Sequence, residues 1–322
     1  MKAITFTAPA LLALGVSAGA LAAQSWPSQP IHIIVPYAAG GGTDATVRTL
    51  APLVSEALGQ PVVVENRPGG ATIIATEAVY RADPDGYTLA AAAAPFTLNA
   101  ALGIDTPYDP LADFAPIIKM VDMPACILVN NNHPATSFPE LLDWARAQNE
   151  PMLFATAGVG SMPHLWMEAF AFQHGLDVEH VGYRGSAPAL LDVIAGNIEV
   201  MVDGFTPGCQ RGTTGEVHVL AVPWSERLEM MPEVPTLAEL GYEAPLGAAN
   251  FSIIAPGATD PAIVEQLNAA FQAALDDPEV RATLLGMGLL PAGGSAQDLV
   301  DFYTAEIAFW SEVVEQAGIQ PE

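Results

Sequence analysis

The chain has 322 residues, of which 51% are hydrophobic and 14% are charged, and its formal net charge is −26 at pH 7. We expect no nucleic-acid partner, because binding nucleic acid requires a basic face. The length allows a large hydrophobic core and predicts two domains. So large an acidic excess also predicts self-repulsion that added salt would screen.

The first 23 residues have the pattern of a secretory signal peptide. Lys2 provides a positive start, residues 8 to 21 are apolar, and Ala20-Leu21-Ala22 is a small-residue cleavage site. A membrane anchor is disfavoured because the apolar run is short and alanine-rich and a polar, proline-bearing segment follows it. We therefore expect cleavage after Ala22 or Ala23 and export of the mature chain.

From Trp26 onward, strand patterns alternate with helix patterns, which favours an α/β fold with parallel sheets. The first strand covers residues 31 to 35 and ends at Pro36. Three glycines, 40 to 42, then precede a helix that begins at Thr43 or Asp44 and continues to residue 58. Free N–H groups at a helix N-terminus bind anions. No lysine follows the glycines, so a nucleotide-binding phosphate loop is excluded.

The remaining elements continue this alternation. Predicted strands cover residues 61–65, 87–91, 125–129, 152–155, 178–181, 198–202 and 251–254, and predicted helices cover 72–82, 138–147, 163–173, 187–195, 260–275, 278–287 and 295–317. Prolines between 107 and 124 are expected to break any long element and to separate two α/β units. The C-terminal third is expected to complete the first unit.

A glycine followed by serine or threonine occurs at three strand-to-helix turns: Gly42-Thr43, Gly160-Ser161 and Gly185-Ser186. Ligands of open α/β sheets bind at the carboxyl ends of the strands, where such turns gather. Two domains that each contribute such turns would enclose a small anion between opposing helix N-termini, each worth about 0.3 to 1 kcal/mol.

Cysteine and histidine spacing gives no sign of a metal. Cys126 and Cys209 are far apart and fit no ligand pattern, and no two histidines have paired ligand spacing. We expect no metal and no cofactor. The two cysteines could pair in an oxidising compartment, although a chain of this length does not need a disulfide to fold. We expect both to lie in the core.

Several of these motifs together resemble a known family. Segments 35–44 (VPYAAGGGTD), 65–69 (ENRPG), 83–89 (DPDGYTL) and 185–190 (GSAPAL) resemble the Bug-type receptors, the periplasmic substrate-binding proteins of tripartite tricarboxylate transporters. The likeness runs in order from about Trp26 to the C-terminus, and segments 232–236 and 277–281 fit as well.

The resemblance implies an α/β, two-domain periplasmic-binding-protein (Venus flytrap) fold. Each domain would be a mainly parallel sheet flanked by helices, with the ligand in the cleft between them. Domain 1 would comprise residues 24–124 and 247–322, and domain 2 residues 125–246, with crossings near Pro124 and Leu246. The implied function is non-enzymatic: a periplasmic, monomeric receptor binds a small organic acid through its carboxylate and delivers it to the transporter's membrane subunits.

The resemblance also implies a set of ligand-binding residues. The first loop would grip the carboxylate mainly through backbone N–H groups, the second and third loops would lie opposite, and an acidic residue would meet a ligand amine or hydroxyl. These residues are Tyr37, Ala38, Ala39, Gly40, Gly41, Gly42, Thr43 and Asp44; Thr156, Gly160, Ser161 and His164; Tyr183, Arg184, Gly185 and Ser186; and Asp203.

One of these residues, Arg184, has two possible partners, and the sequence departs from the family pattern at residue 39 and at residues 90–96. Arg184 could pair with the ligand carboxylate or with a surface acid. Alanine stands at 39, where the family usually has proline. Residues 90–96 are more apolar than expected, which favours a ligand with a less polar body, such as an aromatic acid.

Two alternatives remain open at the sequence level. A related receptor could signal to a sensor kinase instead of a transporter. A secreted serine hydrolase could use Ser161, His164 and Asp203. The hydrolase is disfavoured because Ser161 and His164 are only three residues apart at one helix start and the Gly-x-Ser-x-Gly elbow is absent.

Overall fold

A computed structural model describes residues 26–204, 208–245 and 247–319 of the chain. The predicted signal peptide, residues 1–23, and the predicted crossing at Leu246 lie outside the described residues. Within these ranges, no helix is both long enough and apolar enough to cross a bilayer.

Strands and helices alternate along most of the described chain. The strands are β1 Ile31–Val35, β2 Val62–Asn66, β3 Thr88–Ala93, β4 Phe114–Val129, β5 Met152–Thr156, β6 Val178–Gly182, β7 Val200–Gly204, β8 His218–Ala221, β9 Ala248–Pro256 and β10 Leu290–Gly293. The helices are α1 Gly42–Leu58, α2 Ile73–Tyr80, α3 Pro95–Ala101, α4 Phe138–Ala147, α5 Met162–His174, α6 Ser186–Ala195, α7 Gln210–Thr213, α8 Pro261–Asp276, α9 Pro278–Gly286 and α10 Ala296–Ala317.

The strands of the described chain form one continuous mixed sheet in the order β2-β1-β3-β9-β4-β7-β5-β6, with β8 and β10 also paired to β4. Each end of the sheet is parallel: β1 pairs with β2 and β3, and β5 pairs with β6 and β7. The expected parallel strands are therefore present in both halves. In the middle, β9 and β4 run antiparallel to their neighbours and join the halves.

Strand β4 contradicts the expected break between residues 107 and 124, because it runs through Pro116 and Pro124. Pro116 lies opposite Ile254 of β9, and Pro124 lies opposite Ala248 of the same strand. On the other side of β4, β10 pairs only between positions 119 and 122, and β7 pairs from position 125 onward. Strand β8 pairs with residues 127–129, which also pair with β7, and so lies on the opposite side of β4 from β7. Each proline thus has a neighbouring strand on one side only, where the loss of its N–H is tolerated.

The pairing partners of β4 change at the same place. Residues 114–124 pair with β9, whereas residues 125–129 pair with β7 and β8. This change of pairing partners supports the predicted domain boundary near Pro124, which stays a prediction.

The core lies on both faces of the sheet. One large cluster packs α1 and α8 against the first half and includes Leu50 and Phe271, and another packs α4 and α5 against the second half and includes Phe154 and Trp166. Both cysteines are fully buried, as expected. They also form a disulfide, Cys126–Cys209, with the two Cα atoms 5.8 Å apart.

The predicted helices lie within two residues of the observed bounds, whereas β7 lies two residues further along the chain than predicted, at Val200–Gly204, and β9 is longer than predicted, at Ala248–Pro256. Helix α1 ends at Leu58 because Gly59 adopts a left-handed conformation, with φ 68°. The sequence patterns predicted neither α3, β8 nor β10. Helix α3 follows an alanine-rich strand with only Ala94 between them, and β10 is a four-residue strand that contains proline and glycine.

Candidate functional site

A cavity of about 620 Å³ lies where the loops after β1, β5 and β6 converge on the end of β7. Cavities of about 300 to 1,000 Å³ are typical of small-molecule sites. Nine of the predicted site residues line it: Tyr37, Gly40, Gly41, Gly42, Thr43, Gly160, Ser161, Ser186 and Asp203. The structure thus brings together residues from four separate segments of the chain.

The other eight predicted site residues are not part of the lining. They are Ala38, Ala39, Asp44, Thr156, His164, Tyr183, Arg184 and Gly185. Ala38 and Ala39 are exposed. Most of the others hold the three loops in place through hydrogen bonds.

Four of the described helices begin at the cavity without a side-chain cap. Three are α1, α5 and α6, whose N-cap residues are Gly41, Ser161 and Gly185. The fourth is the seven-residue α3, whose first helical residue, Pro95, has no N–H. Of the helices that begin elsewhere, α4, α8, α9 and α10 are capped by a serine or aspartate side chain, and α2 and α7 are not. An uncapped first turn leaves backbone N–H groups unpaired and a partial positive charge at the helix end. This arrangement can accept an anion without a cationic side chain.

Asp44 supports the first loop from behind. Its side chain is buried, and one carboxylate oxygen accepts from the backbone N–H of Gly40 at 2.8 Å. The other oxygen accepts from Arg48 Nε and from Asn66 Nδ2, each at 2.9 Å. Burial raises the pKa of Asp44, but these hydrogen bonds outweigh burial and hold the pKa below its usual value. Asp44 therefore shapes the glycine loop rather than facing the cavity.

The glycines of this loop are needed for two different reasons. Gly40 has φ 89°, a left-handed conformation that favours glycine. Gly42 lies against the ring of Phe251, and a Cβ atom there would be 3.4 Å from Phe251 Cε2. Gly41 has φ −78° and ψ 169°, which any residue can adopt. A Cβ on Gly41 would have no neighbour closer than 3.7 Å.

A pair of stacked histidines supports the second loop. The ring centroids of His164 and His180 are 3.8 Å apart. His180 Nε2 lies 2.7 Å from Thr156 Oγ1, and the backbone N–H of Gly160 donates to His164 Nδ1 at 3.1 Å. Burial lowers the pKa of both histidines to about 4, and the neighbouring His180 contributes to the shift at His164. Both rings are therefore neutral at pH 7 and position the loop.

Sequence reasoning missed His180. The residue lies on β6, directly opposite Phe154 of β5. Its role depends on a strand pairing that local sequence spacing does not reveal.

The third loop is fastened to its neighbours. Tyr183 donates its hydroxyl to Asp192 Oδ2 at 2.6 Å, and the backbone N–H of Gly185 donates to the carbonyl of Ala157 at 2.9 Å. Arg184 is exposed and forms no ion pair within the described part of the chain.

Asp203 is the buried acid of the cavity, with only 2% of its surface exposed. Its Oδ1 accepts from Ser186 Oγ at 2.6 Å, and its Oδ2 accepts from the backbone N–H of Gly208 at 3.0 Å. Burial raises the pKa of Asp203 to about 6, against the opposing effect of these hydrogen bonds. The carboxyl group therefore changes its charge close to neutral pH.

The rest of the lining is largely apolar and comes from β3, β4, β9 and the segment after α9. It includes Ala93, Met123, Ala249 and Phe251. Ala93 lies in the apolar segment 90–96 that the sequence connected with the body of the ligand. Sequence reasoning did not assign the other three residues to the site, because they meet it only through the antiparallel pairing of distant strands.

The mixed sheet, its flanking helices and the cavity at the converging loops are those of the two-domain periplasmic-binding-protein fold, as in the periplasmic binding protein BugD, which is 30% identical with a TM-score of 0.77, covering 92% of this chain and 100% of that one. Within that class, the chain belongs to the tripartite tricarboxylate transporter family receptors, because residues 46–319 match that family. This match confirms the resemblance to Bug-type receptors that the sequence motifs indicated.

Individual relatives agree with this assignment. Protein BugT of Bordetella pertussis is 32% identical over 303 residues, which cover 94% of this chain and 93% of BugT. The structure of R. palustris Rpa4515 with adipate is 33% identical, with a TM-score of 0.79, covering 92% of this chain and 100% of that one. MatC of Rhodopseudomonas palustris with bound malate is 29% identical, with a TM-score of 0.75, covering 90% and 100%.

Proposed function

We propose that the protein binds a small organic acid in the cavity by its carboxylate and delivers it to the membrane subunits of a tripartite tricarboxylate-type transporter. The observation that carries this proposal is the set of uncapped N-termini of α1, α5 and α6 at one cavity. Relatives of similar fold have been solved with adipate and with malate, both of which are carboxylates.

The helix ends supply the attraction for the anion. Each is worth about 0.3 to 1 kcal/mol, so three contribute roughly 1 to 3 kcal/mol, and more when sheltered from water. In this proposal the backbone of residues 40–43 grips the carboxylate, and the hydroxyls of Ser161 and Ser186 lie opposite. Local dipoles of this kind are needed because the whole chain, at −26, repels anions.

The proposed role is binding without catalysis. Among the described residues, Ser161, His164 and Asp203 do not form a Ser-His-Asp arrangement. Ser161 Oγ donates to Thr156 Oγ1 at 3.4 Å, and Asp203 bonds to Ser186 and Gly208. His164 Nδ1 accepts from Gly160, so no base is positioned to activate the serine.

The proposed location is the periplasm, after cleavage of the signal peptide at Ala22 or Ala23. The proposed domains are those expected from the family, 24–124 with 247–322 and 125–246. The cavity would then lie between them, with the α1 loop on one side and the α5 and α6 loops on the other.

A thermal-shift screen of the mature protein against mono-, di- and tricarboxylates tests the proposal. At one hundred times its dissociation constant, a ligand adds about 2.7 kcal/mol to the free energy of unfolding. At least one acid should raise the melting temperature clearly. The variant Gly41→Leu should lose this rise, because its side chain enters the cavity, yet it should fold normally, since the backbone at Gly41 suits any residue.

Gly286→Leu is the matched control. Gly286 is exposed at the end of α9, and a Cβ there has no neighbour within 4 Å. This variant should keep the full ligand response. If no carboxylate raises the melting temperature of the wild type, or if Gly41→Leu responds like the wild type, the proposed carboxylate site is wrong.

A further inference from the structure

The apolar lining of the cavity is a floor built by strand register. Phe251 and Ala249 are two residues apart on β9 and so point to the same face of the sheet. Phe251 lies opposite Ala93 of β3, and Ala249 lies opposite Met123 of β4. Directly opposite residues share a face, so these four side chains form one surface, which we call the apolar floor. None of them offers a polar side-chain hydrogen-bond donor.

The charges around the cavity are unusual for a protein that accepts anions. Among the described residues that line it, there is no lysine, arginine or histidine, and only Asp203 is charged near neutral pH. Of the cations in the neighbouring loops and helices, Arg48 pairs with Asp44 at 2.9 Å and Arg67 pairs with Glu65 at 2.8 Å. Arg184, two residues before Ser186, is exposed and lies outside the lining. Within the lining, positive potential therefore comes from the helix ends.

The balance of these charges suits one carboxylate. Three helix N-termini each carry roughly half a positive charge, and a buried acid faces them. A ligand with one carboxylate places its charge at the helix ends and its body on the apolar floor. A second carboxylate would have to lie either on that floor, without hydrogen-bond donors, or at the opposing ends of α5 and α6. At those ends Ser161 Oγ donates to Thr156 Oγ1, Ser186 Oγ donates to Asp203 Oδ1 at 2.6 Å, and Asp203 carries a charge of the same sign.

We propose that the ligand class is the amphipathic monocarboxylates, acids with one carboxylate and an aromatic or medium-length aliphatic body, rather than di- or tricarboxylates. This inference rests on the proposed function, since it assumes that a carboxylate occupies the cavity. The floor selects the apolar body, the helix ends hold the single charge, and Asp203 rejects a second one.

Matched pairs of acids test this selection. Hexanoate and adipate share a six-carbon chain and differ by one terminal carboxylate, and benzoate and terephthalate differ in the same way on a ring. Isothermal titration of the mature protein at pH 7.5 should give dissociation constants at least tenfold lower for hexanoate than for adipate, and for benzoate than for terephthalate. A diacid that binds more tightly than its monoacid partner in either pair overturns the proposal.

The role of Asp203 is tested by Asp203→Asn, with Asp105→Asn as control, because Asp105 is exposed and outside the lining. Asp203→Asn should improve adipate binding relative to hexanoate by about tenfold, whereas Asp105→Asn should leave the ratio unchanged. A ratio unaffected by Asp203→Asn removes Asp203 as the cause of selection.

Malate and citrate separate the two proposals. If they bind and the monoacids do not, the monocarboxylate class is wrong while the carboxylate receptor stands. If none of the six acids binds, the proposed function itself is contradicted.

Discussion

The burial of Asp203 destabilises its charged form, whereas its hydrogen-bond donors stabilise that form. It is nearly fully buried in a strongly acidic protein, yet it accepts hydrogen bonds from Ser186 and from the backbone of Gly208. Burial is the larger effect and raises its pKa to about 6. At neutral pH the folded protein therefore carries a buried carboxylate that water would solvate better, which destabilises the fold. In the proposed function, this acid lies at the ligand site.

The stability of the ligand-free protein should depend on pH through this group. An aspartate in the unfolded chain has a pKa of about 3.9. Between that value and about 6, the folded state holds a proton that the unfolded state has released. Raising the pH through this window therefore lowers the free energy of unfolding, by about 3 kcal/mol in total, and the loss is complete above pH 6.

Asp203→Asn isolates this contribution, because asparagine does not ionise. Its free energy of unfolding relative to the wild type should rise by about 2.4 kcal/mol between pH 4 and pH 8. Urea denaturation at the two pH values measures the difference. Asp105→Asn, at an exposed site outside the cavity lining, is the matched control. A difference for Asp203→Asn that is the same at both pH values would contradict the raised pKa.

Helices and strands differ in how far the sequence revealed them. Helix α1 was predictable, because three glycines and Thr43-Asp44 mark a helix start locally, although the helix begins at Gly42 and neither side chain caps it. The apolar floor as a surface was not, because Ala93 and Phe251 are neighbours only through the pairing of β3 with β9. The local pattern was also wrong about β4. Its prolines predict an interruption of the strand, but the pairing of the whole sheet shows that each proline has a neighbouring strand on one side only.

The disulfide connects two elements next to the cavity. Cys126 lies on β4 directly opposite Asp203 of β7, and Cys209 follows Gly208, whose N–H donates to Asp203. The bond therefore fixes the chain after β7 onto β4. The two cysteines are 83 residues apart in sequence, and closing a loop of that size in the unfolded chain stabilises the folded state.

Replacing both cysteines by alanine should lower the free energy of unfolding by about 2 to 5 kcal/mol. Urea denaturation of the oxidised wild type and the double variant measures this loss. Wild-type protein unfolded in the presence of a reducing agent should be close to the variant, since both lack the cross-link. A double variant as stable as the oxidised wild type would show that the bond does not stabilise the fold.

The molecule as a whole is dominated by negative charge. Ten lysines and arginines face 36 aspartates and glutamates. In the described part of the chain, seven of these cations already pair with a carboxylate: Arg48, Arg67, Arg81, Lys119, Arg146, Arg211 and Arg227. Few cations are left to offset the remaining acids, so self-repulsion should oppose the folded state at low ionic strength.

Sodium chloride should therefore raise the melting temperature. The Debye length falls from about 30 Å at 0.01 M to about 8 Å at 0.15 M, so most of the rise should come within the first few tenths molar. Differential scanning calorimetry over a salt series measures it. The same series at pH 4, where many of the carboxylates are protonated, should give a smaller rise. An unchanged melting temperature from low to molar salt at pH 7.5 would contradict the repulsion.

Ligand binding should also change the shape of the whole molecule. The cavity is lined on one side by the α1 loop and β9 and on the other by α5, α6 and β7, so each side holds only part of the contacts. Bringing the sides together around a carboxylate lets all three helix ends act on it in a drier environment, where their attraction is stronger. Helix α10 packs against both α3 and α5 and would follow this movement.

Small-angle scattering should therefore give a smaller radius of gyration with saturating ligand than without it. The variant Gly41→Leu, which blocks the cavity, should give the same radius in both conditions. Identical wild-type profiles, with saturation verified by titration, would mean that binding occurs without closure.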